Sequence, residues 1–365
     1  MTPPPLPPSD SLATALRTND FPARFSPMLV KELRQGMRTN LFAVAFILLQ
    51  TVMILSVLAG LADSGSSAST GFFWFFVVVA LLVVQPLRGF NALSSEYSLN
   101  TMDLIQLTRL DAWRITLGKW TALNAQTLLF VTGVLPYLVM RYFLGNVNIV
   151  ADLLALLYLG LGSAFASAIT IGCSAFRQFL LRCILIVAFA FGFTGLFVAV
   201  QALVIRSGMF GMGGASFGSP VASGVLFALS LVYGSFFFLS FGASRIAPPS
   251  ENLATRKRLV AIGFTLAVLA FAWTNIPKEM VVVVGALILG LACIDALTEP
   301  LPVYARVLEP FRKRAILRPF ALFLAPGWLS GLGFFLLCSA LWIGLFLVVA
   351  WLSPSISIPR TEGAT

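Results

Sequence analysis

Metal binding, disulfide cross-linking and acid–base catalysis each need residue types that this chain holds sparsely. It has no histidine, which removes the commonest metal ligand and the commonest general base. Cys173, Cys183, Cys293 and Cys338 lie within or beside apolar runs and form no CxxC pair, so they read as small apolar residues. A membrane enzyme acting on lipids or glycans would cluster carboxylates at one face, yet Asp63, Asp152, Glu279 and Glu362 are scattered. Gly118-Lys119 lacks the upstream glycine and the following Ser or Thr of a phosphate-cradling loop. These residues predict no enzyme, no cofactor and no metal. Any ATP-driven step must then be powered by a separate chain.

Two segments have a spacing that can be used. The first runs Phe25-Ser26-Pro27-Met28-Leu29-Val30-Lys31-Glu32-Leu33-Arg34-Gln35-Gly36-Met37-Arg38. Ser26 suits a helix N-cap and Pro27 the first helical position. At about 100° per residue, Leu29, Val30, Leu33 and Met37 share one face, while Lys31, Arg34 and Arg38 share the other. The pattern predicts an interfacial helix, with its apolar side in the acyl boundary and its basic side on anionic headgroups. The second segment is RGFNALSSEYSLNTMDLIQLTRLDAWRITLGK, from Arg88 to Lys119. Asn100 can cap a short helix, with Asp103 near its positive dipole end. Met102, Leu104, Ile105 and Leu107 give that helix an apolar side. Asp111 is a second N-cap, and Leu110 with Ile115 forms a hydrophobic staple that starts a long helix.

The elements that position these segments are apolar. Hydrophobic residues make up 59% and charged residues 10% of the chain, against about 25% charged in soluble domains. Mean hydropathy is +0.94. Nine apolar runs can be marked: 41–62, 72–87, 120–142, 149–176, 179–205, 221–244, 259–275, 280–297 and 328–352. Continuous runs near 20 residues predict spanning helices rather than a closed barrel. The expected fold class is therefore all-α, a polytopic transmembrane bundle of about nine spans. With the N-terminus in the cytoplasm, 20 of the 24 lysines and arginines fall on the inner side, leaving Arg141, Arg206, Lys278 and Arg360 outside. Basic residues gathered in short clusters between runs argue against nucleic acid as a partner. Arg88, at the inner end of the second run, is expected to snorkel to the headgroups. Residues 1–24 read as a disordered, proline-rich cytoplasmic tail without the apolar core of a signal peptide.

The order of these parts resembles the permease subunits of ABC exporters of the type-2 fold. It runs as an amphipathic helix with S-P-x-L-x-K-E-L-R, two spans, R-G with E and N-T-M-D-L-I, T-x-L, G-K and a span. The matching residues are Glu96, Thr101, Asp103, Leu104, Thr108, Leu110, Ile115, Gly118 and Lys119. Asn100 stands where the family usually has glycine, and Arg109 where it has proline. The resemblance covers roughly residues 25–244 and implies an elbow helix (Leu29, Val30, Lys31, Leu33, Arg34, Met37, Arg38). It also implies a coupling helix that rests in a groove of an ATPase subunit, with Glu96, Thr101, Asp103, Leu104, Leu107, Thr108 and Asp111 at or beside it.

The expectation is a six-span permease-like core at 25–244, and three additional spans with a C-terminal tail at 245–365. The function expected is that of a permease subunit of an ATP-driven exporter in the cell membrane. Its partners are a separate ABC ATPase subunit, membrane lipids and a second permease subunit, giving a homodimer or heterodimer. The alternative is a non-transporting scaffold, a degenerate permease that anchors other proteins.

Overall fold

A computed structural model describes residues 27–62, 67–94, 111–143, 148–176, 178–189, 191, 220–248, 251–271, 278–299 and 319–352. The described residues are helical, with no strand among them. Helix α1 (Pro27–Met37) leads almost directly into α2 (Asn40–Ala62). The break between them is fixed by Thr39, whose hydroxyl donates to the Gly36 carbonyl at 2.7 Å. α2 is 23 residues without a charge, and Leu41, Val44, Ile47, Leu48, Ile54, Leu55, Leu58 and Leu61 all lie exposed along it. So large an exposed apolar face belongs against lipid or protein rather than water.

Helix α3 runs Ser67–Val78, widens into a π-helical turn at Val79–Val84 and closes as Gln85–Leu87. It is longer at its first end than the apolar run 72–87, because Ser and Thr continue the helix outward. α4 (Ala112–Phe143) has 32 residues. At 1.5 Å per residue it is about 48 Å long, well beyond the roughly 30 Å of a hydrocarbon core. Its surplus lies in its polar first turns, which carry Arg114 and Lys119.

α5 (Ile149–Ser174) starts at Asn148, whose side chain accepts from the N–H groups of Val150 and Ala151. A shorter apolar helix, α6, is described at Phe179–Phe189. α7 (Pro220–Ile246) packs closely on α5, because glycines meet at the crossing. A Cβ on Gly242 would lie 2.9 Å from the Cα of Gly172. Small residues at a crossing let two backbones approach, as membrane helices require.

The last helices are α8 (Ala254–Ala270), α9 (Lys278–Leu297), the short α10 (Ala321–Leu324) and α11 (Trp328–Leu352). Among the described residues, five helical stretches are long and apolar enough to cross a membrane: Asn40–Leu61, Thr70–Leu87, Ala112–Phe143, Ile149–Ser174 and Gly224–Ile246. Phe179–Phe189, Val281–Leu297 and Trp328–Gly344 are shorter apolar helical stretches.

Three apolar clusters hold the bundle. One joins α2, α3, α4 and α5 around Met53, Phe73, Phe130 and Leu156. A second joins α4, α5 and α7 around Ile115, Phe165 and Leu239, and reaches Leu253 beyond α7. The third joins α7 to α8, α9 and α11 through Tyr233, Ala261, Ile288 and Phe334. α7 is thus the helix on which the last part of the chain is built.

Candidate functional site

The chemistry of this chain gathers where helices end. α1 carries one carboxylate among its basic residues, Glu32, and it points at α4. Glu32 Oε1 accepts from Lys119 Nζ at 2.8 Å, with the two side chains 19% and 5% exposed. Leu29, Val30 and Leu33 are half-buried, while Met37, Lys31, Arg34 and Arg38 are exposed. Two-sidedness therefore holds over most of the helix. What fixes it to the bundle, however, is an ion pair that the amphipathic pattern alone does not announce.

Arg88 follows α3 and takes a different course from the expected snorkelling. Its Nη2 donates to the Gly36 carbonyl at 2.8 Å and to the Thr39 hydroxyl at 3.3 Å, and its guanidinium sits 5.0 Å from the Phe42 ring centre. The α1–α2 junction turns the Gly36 carbonyl, which already accepts from Thr39, toward the guanidinium, and it binds there in place of a headgroup. A few residues on, Arg182 of α6 donates to Asn91 Oδ1 and Ser94 Oγ, both at 2.7 Å, and to the Phe90 carbonyl at 3.3 Å. The Leu93 N–H donates to Ser174 Oγ at 3.1 Å at the end of α5. The start of the 88–119 segment is therefore held by α1, α5 and α6.

Its far end is held as firmly. Asp111 precedes α4 as expected, and its backbone carbonyl accepts from the N–H groups of Arg114 and Ile115. Its carboxylate turns instead to Arg114 Nε at 3.6 Å, with both side chains exposed. The carboxylate that meets the helix start comes from elsewhere: Glu251 Oε2 accepts from the Ala112 N–H at 3.3 Å. Burial pushes the Glu251 carboxyl above its usual range; the Ala112 N–H and Arg256 oppose that shift and Asp111 adds to it. The Arg256 guanidinium lies 4.5 Å from the Trp113 ring centre.

The third gathering is in the last helices. Lys257 Nζ reaches Asp295 Oδ2 at 2.9 Å and Glu299 Oε1 at 4.0 Å, and Arg258 Nη2 reaches Glu299 Oε2 at 2.9 Å. Arg258 is 2% exposed and also donates to the carbonyls of Phe323, Ala325 and Gly327 and to Ser330 Oγ. Gly327 has φ of 121°, a conformation that glycine adopts without strain and that turns the chain between α10 and α11. Burial raises the Glu299 carboxyl, and Lys257 and Arg258 hold it back. The signal was present in the sequence: a Lys-Arg pair and an Asp–Glu pair four residues apart, on neighbouring apolar runs.

At the opposite end, Arg141 and Asp152 bracket the α4–α5 connection 3.7 Å apart. Arg141 also donates to Thr70 Oγ1 at 3.0 Å and covers Phe73 at 4.4 Å. No family model, curated protein or solved structure matches this chain. Function must therefore be argued from these contacts.

Glu96, Thr101, Asp103, Leu104, Leu107 and Thr108 lie outside the described residues, as do Ser26, Asn100 and Leu110. Of the expected coupling residues, Asp111 alone is placed, exposed at the foot of α4. All four cysteines are free thiols, and no group of three metal-ligating side chains occurs among the described residues.

Proposed function

We propose that this chain is the membrane-spanning permease subunit of an ATP-driven ABC exporter, energised by a separate ATPase subunit. The observation that supports the reading is the anchoring of both ends of the 88–119 segment. Arg88 and Arg182 hold its start, and Glu32–Lys119, Glu251–Ala112 and Arg256–Trp113 hold its end. An ATPase in the cytoplasm moves spans only through a stiff element continuous with them. Described at 88–94 and 111–119, the two ends of the segment are tied to the bundle, and the second runs on into the 32-residue α4, which supports that route. α1 is then the elbow helix, and residues 101–108 are the coupling helix.

In this reading the chain makes nine spans in the cell membrane, with its N-terminus in the cytoplasm and its C-terminus outside. The charge asymmetry supports that topology. Single-cysteine labelling from outside should reach Ser66, Ser216 and Ser357 and miss Ser95 and Ser250; labelling of Ser250 in intact cells would overturn it.

Coupling is tested by pull-down of the ATPase from native membrane. Leu104→Asp should weaken association by a few kcal/mol, because buried apolar anchors dominate such interfaces. Protease protection should show the variant inserted as before. A chain that recruits partners yet never stimulates ATP turnover would be a scaffold.

A further inference from the structure

Between α4, α5 and α7 runs a groove of about 220 Å³. Trp113, Leu117 and Trp120 line it from successive turns of α4, facing Ala164 on α5 and Val232 and Ser235 on α7. Of the three wall side chains able to hydrogen-bond, two donate within the fold: Trp120 Nε1 to the Ala164 carbonyl at 2.8 Å and the Ser235 hydroxyl to the Leu231 carbonyl at 2.8 Å. The third, the Trp113 indole, stands at the charged end. The rest of the wall offers water too few partners, and apolar cavities of about 150 Å³ stay dry and take up hydrocarbon. All three lining helices are long and apolar enough to span a membrane. The groove then meets acyl chains at Trp120 and Ala164 and the headgroup region at Trp113, in the polar first turns of α4.

One end of the groove carries charge. Trp113, its last apolar wall residue, lies under the exposed Arg256 guanidinium at 4.5 Å. A guanidinium held by its face over an indole keeps its N–H fork for a phosphate or carboxylate. Of the acidic neighbours, Asp111 pairs with Arg114, and Glu251 accepts from the Ala112 N–H and acts on Arg256 through its charge, with burial favouring its neutral form. This is also the basic end of the bundle, where anionic lipid headgroups concentrate on the cytoplasmic side.

We propose that the groove holds one acyl chain of an anionic phospholipid whose phosphate is bound by Arg256. The site rests on the membrane-embedded, N-terminus-inside reading given above. An occupied groove fills the space beside the foot of α4, so the lipid is a structural partner of the helix that continues the coupling segment.

The test uses the full chain with Trp113 and Trp120 as its only tryptophans, reconstituted in vesicles. Brominated acyl chains quench tryptophan fluorescence on contact. Brominated phosphatidylglycerol should half-saturate the quenching at a several-fold lower mole fraction than brominated phosphatidylcholine. Arg256→Gln, at an exposed position, should bring the two lipids together. Ala164→Phe, which fills the groove, should remove the saturable phase. Quenching that follows mole fraction equally for both lipids would overturn the site while leaving the membrane reading intact. Absence of quenching by either lipid would overturn both.

Discussion

Glu32 and Lys119 meet as one carboxylate and one ammonium at 2.8 Å. Lys257, Arg258, Asp295 and Glu299 meet as four charges, with three carbonyls and a hydroxyl closing round the arginine. Both gatherings bury charge at the basic end of the bundle. The first joins two helices across 87 residues of sequence and adds to the packing of α1 on α4, where Gly36 lies against the Gln126 side chain. The second closes on itself within the last helices. A network with surplus acceptors is a fixed joint, and the helices that carry it are joined to the core through α7.

The largest effect should come from the fixed joint. Arg258→Met removes the cation that meets Glu299 at 2.9 Å and also serves three carbonyls and Ser330, leaving Glu299 only the more distant Lys257. Breaking a buried pair from one side costs about 3–5 kcal/mol. Thermal unfolding in detergent should show that loss. A change under about 1 kcal/mol would mean that water already satisfies these groups.

The α1–α4 ion pair should respond less. Glu32→Leu removes the carboxylate that Lys119, 5% exposed, meets at 2.8 Å. Loss of a hydrogen bond to a charged group costs about 1.5–3 kcal/mol. From the amphipathic pattern alone, Leu33→Glu should be the more damaging change. Because Leu33 is only half-buried and Glu32 bears the ion pair, Glu32→Leu should match or exceed it. Loss of folded protein for Leu33→Glu alone would return α1 to a purely interfacial role.

The helices were legible because hydropathy over 20 residues is a local property. α2, α5 and α7 fall within a few residues of the runs 41–62, 149–176 and 221–244. α1 is helical from Pro27, the expected first helical position; its expected cap, Ser26, lies outside the described residues. What was not legible is pairing across the chain. Glu32 belongs to neither face of the amphipathic pattern, Arg88 reads as a snorkelling residue, and Lys257 and Arg258 count only among the charges of the inner side. Each finds its partner 38 or more residues away, where periodicity carries no information. α3 differed for another reason: the π-helical turn over Val79–Val84 has the same apolar composition as an ordinary helical turn.

The smallest effect should come from the foot of α4, and it separates two carboxylates. In sequence Asp111 is the cap, and loss of a capping side chain costs about 1 kcal/mol. In the fold Asp111 lies exposed beside Arg114, a pair of the kind worth about 0–1 kcal/mol, while the half-buried Glu251 accepts from Ala112 N–H. Asp111→Ala should therefore cost less than Glu251→Ala. Glu251→Gln keeps an oxygen for the N–H and removes the charge, which isolates the titration. The folded carboxyl is shifted above its ordinary value of 4.5, chiefly by burial. Above that value the folded state holds a proton that the unfolded state has lost, so stability falls as pH rises until the folded group also ionises. Glu251→Gln should flatten that fall in part, the remainder belonging to Glu299, which is shifted the same way. An unchanged pH slope in Glu251→Gln, with a larger loss in Asp111→Ala, would restore Asp111 as the cap and remove one tie between Glu251, ahead of the last helices, and the start of α4.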